Sequence, residues 1–149
     1  MQAVEGGEER IQMNLKYQVA DVSTPLVSVR RIAEQGNVVQ FGPRAEDNFI
    51  QNKDTKDKLM LKPNGKGSYL MEVNFIGGGQ TAMTVDSGAE ENVCPWDWGS
   101  QFETLEAEKQ LWFRNASGGV IDHYGQREVK VVTPFYGRDD RWVQPLYRL

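Results

Sequence analysis

Turn signals recur along this chain at short spacing. Glycine occurs 15 times and proline 6 times in 149 residues. Between these residues lie brief runs in which apolar and polar side chains alternate. Segments 13–20, 38–41, 48–51, 58–61, 68–75, 120–123, 128–132 and 141–147 read as strands. Pro63-Asn64-Gly65-Lys66-Gly67 separates two of them, and Asn-Gly supplies the positive φ angles that a tight hairpin requires. Short strands with frequent turns imply a mainly β, closed or barrel-like domain.

Two helices are expected to interrupt the strands. Thr24 can cap the first, Pro25 suits its first helical position and Gly36 suits its exit. Leu26, Val29, Ile32 and Ala33 then fall on one face, giving a helix of about three turns packed on the sheet. Segment 100–110 is the second, with Phe102 and Leu105 inward and Glu103, Glu106 and Glu108 in solvent.

Length and composition set further bounds. A chain of this length, 39% hydrophobic, forms one domain, read as residues 13–149 behind a mobile acidic arm of residues 1–12. One cysteine excludes an intrachain disulfide and fits a reducing compartment, hence a cytoplasmic setting. No stretch is apolar enough to span a membrane, and residues 1–10 lack the apolar core of a signal peptide. The net charge is −4 without a basic run, so the footprint of nucleic-acid binding is missing.

Several chemistries lack their residues. His123 is the single histidine. Pairing it with Cys94 would make a thiol nucleophile and its base, but Cys94 precedes Pro95-Trp96 and carries no matching local pattern, so a small buried thiol is the expected role. No cysteine–histidine cluster points to zinc, and no Gly-x-Ser-x-Gly elbow or phosphate loop occurs. Neither metal nor cofactor is expected. Trp96, Trp98, Trp112 and Trp142 are expected in the core or at a dimer contact.

The run Met83-Thr84-Val85-Asp86-Ser87-Gly88-Ala89 carries the strongest chemical signal. An apolar strand over 81–85 can be buried, so that Asp86 emerges at its end on the floor of a cleft. Gly88 permits a sharp turn and a close backbone approach, Ser87 can donate a hydrogen bond across the turn, and Ala89 leaves room for a neighbour. All of Asp, Ser and Gly are also ordinary turn residues.

With Glu90-Glu91-Asn92-Val93 following, segment 81–93 resembles the active-site loop of retropepsin-like aspartic proteases, the class found in retroviruses and retrotransposons. Val19-Ala20-Asp21-Val22, Pro25-Leu26-Val27-Ser28-Val29 and Gly36-Asn37-Val38-Val39-Gln40-Phe41 resemble another part of the same domain, where a strand leads into a helix, a glycine and a further strand. The two stretches cover about a third of the chain. The resemblance implies a retropepsin-type fold with one or two short helices, and an endopeptidase that acts on a peptide or polyprotein in the cytoplasm or within a retroelement particle.

The order of the segments differs from the family's, because the helix here precedes the aspartate loop. A circular permutation joined at 77–80 accounts for it, as does an exchange of segments between copies. Gly77-Gly78-Gly79 equally fits a hairpin loop between strands 69–76 and 81–85. The resemblance also makes Asn115-Ala116-Ser117-Gly118-Gly119-Val120 a candidate flap, with Ser117, Gly118 and Gly119 at its tip; an exposed turn is the plain alternative.

One Asp-Ser-Gly loop supplies one carboxylate, and the chemistry uses two held about 3 Å apart and sharing a proton. The resemblance therefore implies a symmetric homodimer in which Asp86 of each subunit meets on the axis, with Ser87, Gly88 and Ala89 supporting it. Pairing Asp86 with Asp21 in one chain is the monomeric alternative, although no glycine turn follows Asp21. The alternative function is an inactive retropepsin-like dimerisation or peptide-binding module.

Overall fold

The computed structural model describes residues 2–4, 8–108, 111, 113–114 and 117–133, with the side chains from residue 11 onward. In chain order these form β1 (Gln2–Val4), β2 (Glu8–Arg10), β3 (Gln12–Ala20), β4 (Leu26–Ser28), α1 (Val29–Glu34), β5 (Asn37–Gln40), β6 (Phe49–Asn52), β7 (Lys58–Met60) and β8 (Lys62–Pro63). They continue as β9 (Tyr69–Phe75), β10 (Gln80–Asp86), β11 (Val93–Cys94), β12 (Thr104–Leu105), β13 (Phe113–Arg114), β14 (Val120–Ile121) and β15 (His123–Val132). The mainly β reading of the sequence holds.

Most strands join one mixed sheet, ordered β12-β15-β3-β11-β4-β10-β9-β8. The sheet closes on itself, because the end of β15 also pairs with β9, Val131 opposite Phe75 and Val132 opposite Asn74. Closure removes free edges from the ring of β3, β11, β4, β10, β9 and β15. Two pairings in it are parallel, β10 with β4 and β11 with β3. A separate antiparallel sheet runs β5-β6-β7.

The alternation in each strand decides which side chains fill the ring. Tyr17, Val19, Val27, Met71, Val73, Met83, Val85, Cys94, Val129 and Val131 form its interior. Burying such a side chain contributes about 1.5–3 kcal/mol. Trp98 packs on Tyr17 and Phe75 at ring-centroid distances of 4.9 and 5.3 Å, and its indole donates to Thr81 Oγ1 at 2.8 Å. The core role expected for Trp98 is therefore met. Trp96 is instead 61% exposed, and Trp112 and Trp142 lie outside the described residues.

Two expectations are corrected. The first helix begins at Val29 rather than at Thr24–Pro25: Leu26–Ser28 is a strand, and Ser28 caps the helix by accepting from the Arg31 amide at 3.2 Å. The parallel ladder with β10 claims Leu26 to Ser28 before the helix can. Residues 100–108 form turns and β12, not a helix. There Thr104 and Leu105 pair with Arg127 and Gln126 of β15, Phe102 packs on Phe75, and Leu105 is 51% exposed. This pairing needs Gly125, since a Cβ at that position would lie 2.4 Å from the Leu105 carbonyl oxygen. Within residues 1–12, β1 and β2 pair antiparallel, Gln2 opposite Arg10 and Val4 opposite Glu8.

Gly77–79 adopt φ values of 96°, 118° and 102° and turn β9 into antiparallel β10. The Phe75 amide donates to the Gly79 carbonyl at 2.7 Å across this turn. The segment forms a hairpin loop between the two strands. Strand 141–147 lies outside the described residues.

Candidate active site

β10 delivers Asp86 to one end of the ring. Met83 and Val85 point into the core, so Thr84 and Asp86 share the other face, and Asp86 is half-buried at the strand end. Its Oδ1 accepts from the Gly88 amide at 2.8 Å, an Asx-type turn that orients the carboxylate locally. A Cβ on Gly88 would lie 3.4 Å from that same oxygen. Gly88 thus fits closely against the carboxylate itself, and not against another backbone as expected. Ser87 is exposed and makes no hydrogen bond among the described residues, so the bond expected across the turn is not formed by this side chain in the single chain.

The support comes from elsewhere. Ser28 stands opposite Asp86 in the parallel register of β4 and β10. Its buried hydroxyl donates to the Ala89 carbonyl at 2.7 Å while capping α1. The Ser28 amide donates to Asn92 Oδ1 at 2.8 Å, and Asn92 Nδ2 donates to the Lys16 carbonyl at 3.1 Å. The Asn92 carbonyl accepts from the Gln18 amide at 2.8 Å. Arg31 adds the outer tie: its Nε donates to the Glu90 carbonyl at 3.1 Å, and its guanidinium pairs with Glu91 and Glu34. The bonds to Glu91, then Glu34, push the Arg31 pKa up. Loop 86–92 is consequently fastened at both ends to β3, β4 and the first turn of α1.

Ser28, Arg31 and Asn92 escaped the sequence reading. Ser28 carried a usable signal, a capping residue within an apolar run three positions before Arg31. Asn92 carried none, because its partners are remote in sequence.

The competing chemistries separate in space. Cys94 is fully buried, and burial pushes its thiol up to about 12 despite the opposing charge of Arg127. His123 Nε2 lies 2.9 Å from Gln18 Oε1 and 3.0 Å from the Gly125 carbonyl, and Nδ1 accepts from the Leu111 amide at 3.3 Å. The ring is thus committed to fixing the start of β15, and no bond to Cys94 is formed. Among the described residues no group of acidic, histidine and cysteine side chains is placed to hold a metal. Asp21 is exposed and lines a shallow recess with Trp96 and Tyr124 that Asp86 does not line.

The candidate flap is a hairpin at its base. β13 pairs with β14, Phe113 opposite Ile121 and Arg114 opposite Val120. Gly118 has φ 87°, Arg114 Nη1 donates to its carbonyl at 2.9 Å, and Ser117, Gly118 and Gly119 are exposed. Asn115 and Ala116 lie outside the described residues. A groove of about 1110 Å³ runs behind the aspartate loop, with Arg31, Ile32, Glu91 and Asn92 among its walls but not Asp86. Asp86 lines neither this groove nor the recess beside Trp96, and it stays half-buried at its strand end.

The chain matches no protein family, no curated protein and no solved structure. No helix among the described residues is long and apolar enough to cross a membrane.

Proposed function

We propose that this chain is an aspartic endopeptidase of the retropepsin type, with its segments in permuted order and its active site assembled from two copies. The observation that carries the proposal is the clamped aspartate loop. Asp86 ends a buried strand, accepts from Gly88 in its own turn, and is fixed through Ser28 and Asn92 to the parallel neighbour strand and the helix after it. A helix that precedes the aspartate in sequence yet buttresses its loop in space is what a permuted chain requires.

In the proposed dimer, the Asp86 carboxylates approach across the two-fold axis and share one proton. The ionised carboxylate takes a proton from a bound water as that water attacks the peptide carbonyl. The protonated carboxylate donates to the carbonyl oxygen, stabilising the charge that develops there. That Asp86 is half-buried at a strand end and lines neither described recess supports a site completed by a second subunit. Ser87, exposed and without a hydrogen bond among the described residues, is the proposed donor across that interface, and the hairpin of β13 and β14 is the proposed cover over substrate. The substrate is an extended peptide or polyprotein, and the setting is cytoplasmic or a retroelement particle.

Asp86→Asn tests this directly. The substitution keeps the Oδ1 acceptor for Gly88 and so preserves the turn, but it removes the general base. Cleavage of an unbiased peptide mixture should be lost while circular dichroism stays unchanged. Undiminished cleavage by the folded variant rejects the assignment in favour of another chemistry. Absence of cleavage by the dimeric wild type leaves the inactive dimerisation or peptide-binding module as the better reading.

A further inference from the structure

Two aromatic rings stand exposed near the end of β3, where β11 and β15 flank it. Trp96 is 61% and Tyr124 48% exposed, and their rings meet at 73° with centroids 6.0 Å apart. They form a corner over a shallow recess of about 460 Å³ that Asp21, Pro95 and Asp97 complete. Clustered apolar exposure of this kind marks interaction surfaces.

The corner sits on fixed supports. Tyr124 lies between His123, held by Gln18, and the bulge at Gly125. The Trp96 carbonyl accepts from buried Arg127 at 3.3 Å, and the Trp98 amide donates to the Pro95 carbonyl at 3.2 Å in the same turn. The backbone that carries both rings is therefore tied to its neighbours.

The charged side chains that line the recess are acidic. Asp21 and Asp97 line the recess. Asp122 acts on Tyr124 as well: partial desolvation, then the negative charges of Asp21 and Asp122, push the Tyr124 phenol up. None of these carboxylates forms an ion pair among the described residues. Arg127 lies beneath and directs its donors to Thr104, Trp96 and Trp98. The carboxylates are not grouped as a metal site, so a divalent ion is a poor fit. A delocalised organic cation suits the place better, because it can lie on an aromatic face while nearby carboxylates offset its charge.

We infer that the Trp96–Tyr124 corner is a docking recess for a basic side chain, arginine above all, of an extended polypeptide partner. The recess is separate from Asp86, and the inference does not depend on hydrolysis there.

The test is a titration of the full chain with acetyl-Gly-Arg-Gly-amide and with its citrulline counterpart, which keeps the shape and loses the charge. The Trp96 indole resonance, assigned with Trp96→Phe, reports occupancy. The arginine peptide should shift the Trp96 and Tyr124 signals saturably at low salt, with citrulline at least roughly tenfold weaker. Asp21→Asn with Asp97→Asn, and separately Trp96→Ala, should each weaken binding about fivefold with unchanged thermal unfolding. Equal binding of the citrulline peptide, indifference to these variants, or no saturable shift up to millimolar peptide overturns the proposal. So does loss of self-association in Trp96→Ala by sedimentation, which would assign the corner to a second copy of this chain.

Discussion

The Ser28 hydroxyl donates to the Ala89 carbonyl at 2.7 Å across 61 residues of sequence. That one bond joins the cap of α1 to the loop carrying Asp86. A helix start and a candidate catalytic turn therefore share a side chain, and what loosens one loosens the other.

Ser28→Ala should expose this coupling. It removes the cap of α1 and leaves the Ala89 carbonyl without its donor, at a loss of about 1–2 kcal/mol in unfolding free energy by urea titration. Peptide hydrolysis should fall more than stability predicts, with the loss in kcat, because the Asp86 turn loses its tie to β4. Threonine at the same position should restore most of both.

Asn92→Ala should be the more damaging change. Asn92 is 7% exposed, and its side chain bonds the Ser28 amide and the Lys16 carbonyl. Removing it leaves both groups buried and unsatisfied, at about 2–3 kcal/mol. Hydrogen exchange should show the Ser28 amide losing protection first.

Much of the fold was legible because each strand shows its alternation locally. Segments 13–20, 38–41, 58–61 and 68–75 match β3, β5, β7 and β9 to within a residue or two at their ends. The start of the first helix was not legible, since Leu26, Val27 and Ser28 suit a strand and a helix equally. Only the parallel partner, β10, decides. Residues 100–108 misled because their helical periodicity coincides with a turn built around Phe102 and the Thr104–Arg127 contact. Closure of the ring through Val131 and Phe75 is a long-range pairing that no local pattern announces. At the site, Asp-Ser-Gly marked the turn itself, while its clamp lies 61 to 64 residues away.

Cys94 should be inert in the folded protein. Its thiol is pushed from 9.0 up to about 12 by burial, so almost no thiolate exists at neutral pH and alkylation should proceed only through unfolding. The raised value means that the folded state resists ionisation. The stability this contributes is fully present below about pH 9 and is lost as pH rises towards 12. Cys94→Ala should flatten that part of the alkaline stability profile. Rapid labelling of native protein at pH 7 by iodoacetamide would contradict the burial.

Hydrolysis by a dyad that shares one proton should follow a bell-shaped pH profile in mildly acidic solution. Loss of the shared proton at higher pH removes the donor to the substrate carbonyl. Gain of a second at lower pH removes the base that activates water. A peptide mimic with a central hydroxyl should inhibit, and chelators should leave the rate unchanged. A rate rising steadily into alkaline solution would contradict the dyad.

The central claim is that two Asp86 carboxylates, one from each copy, form one site. Mixing wild type with Asp86→Asn at fixed total concentration, above the dimer dissociation constant, tests it most directly. If both carboxylates are needed, only dimers of two wild-type chains act. Activity then follows the square of the wild-type fraction, roughly one quarter at equal mixing. A linear dependence, with roughly one half of the activity at equal mixing, would contradict the shared site and place the whole chemistry within one chain.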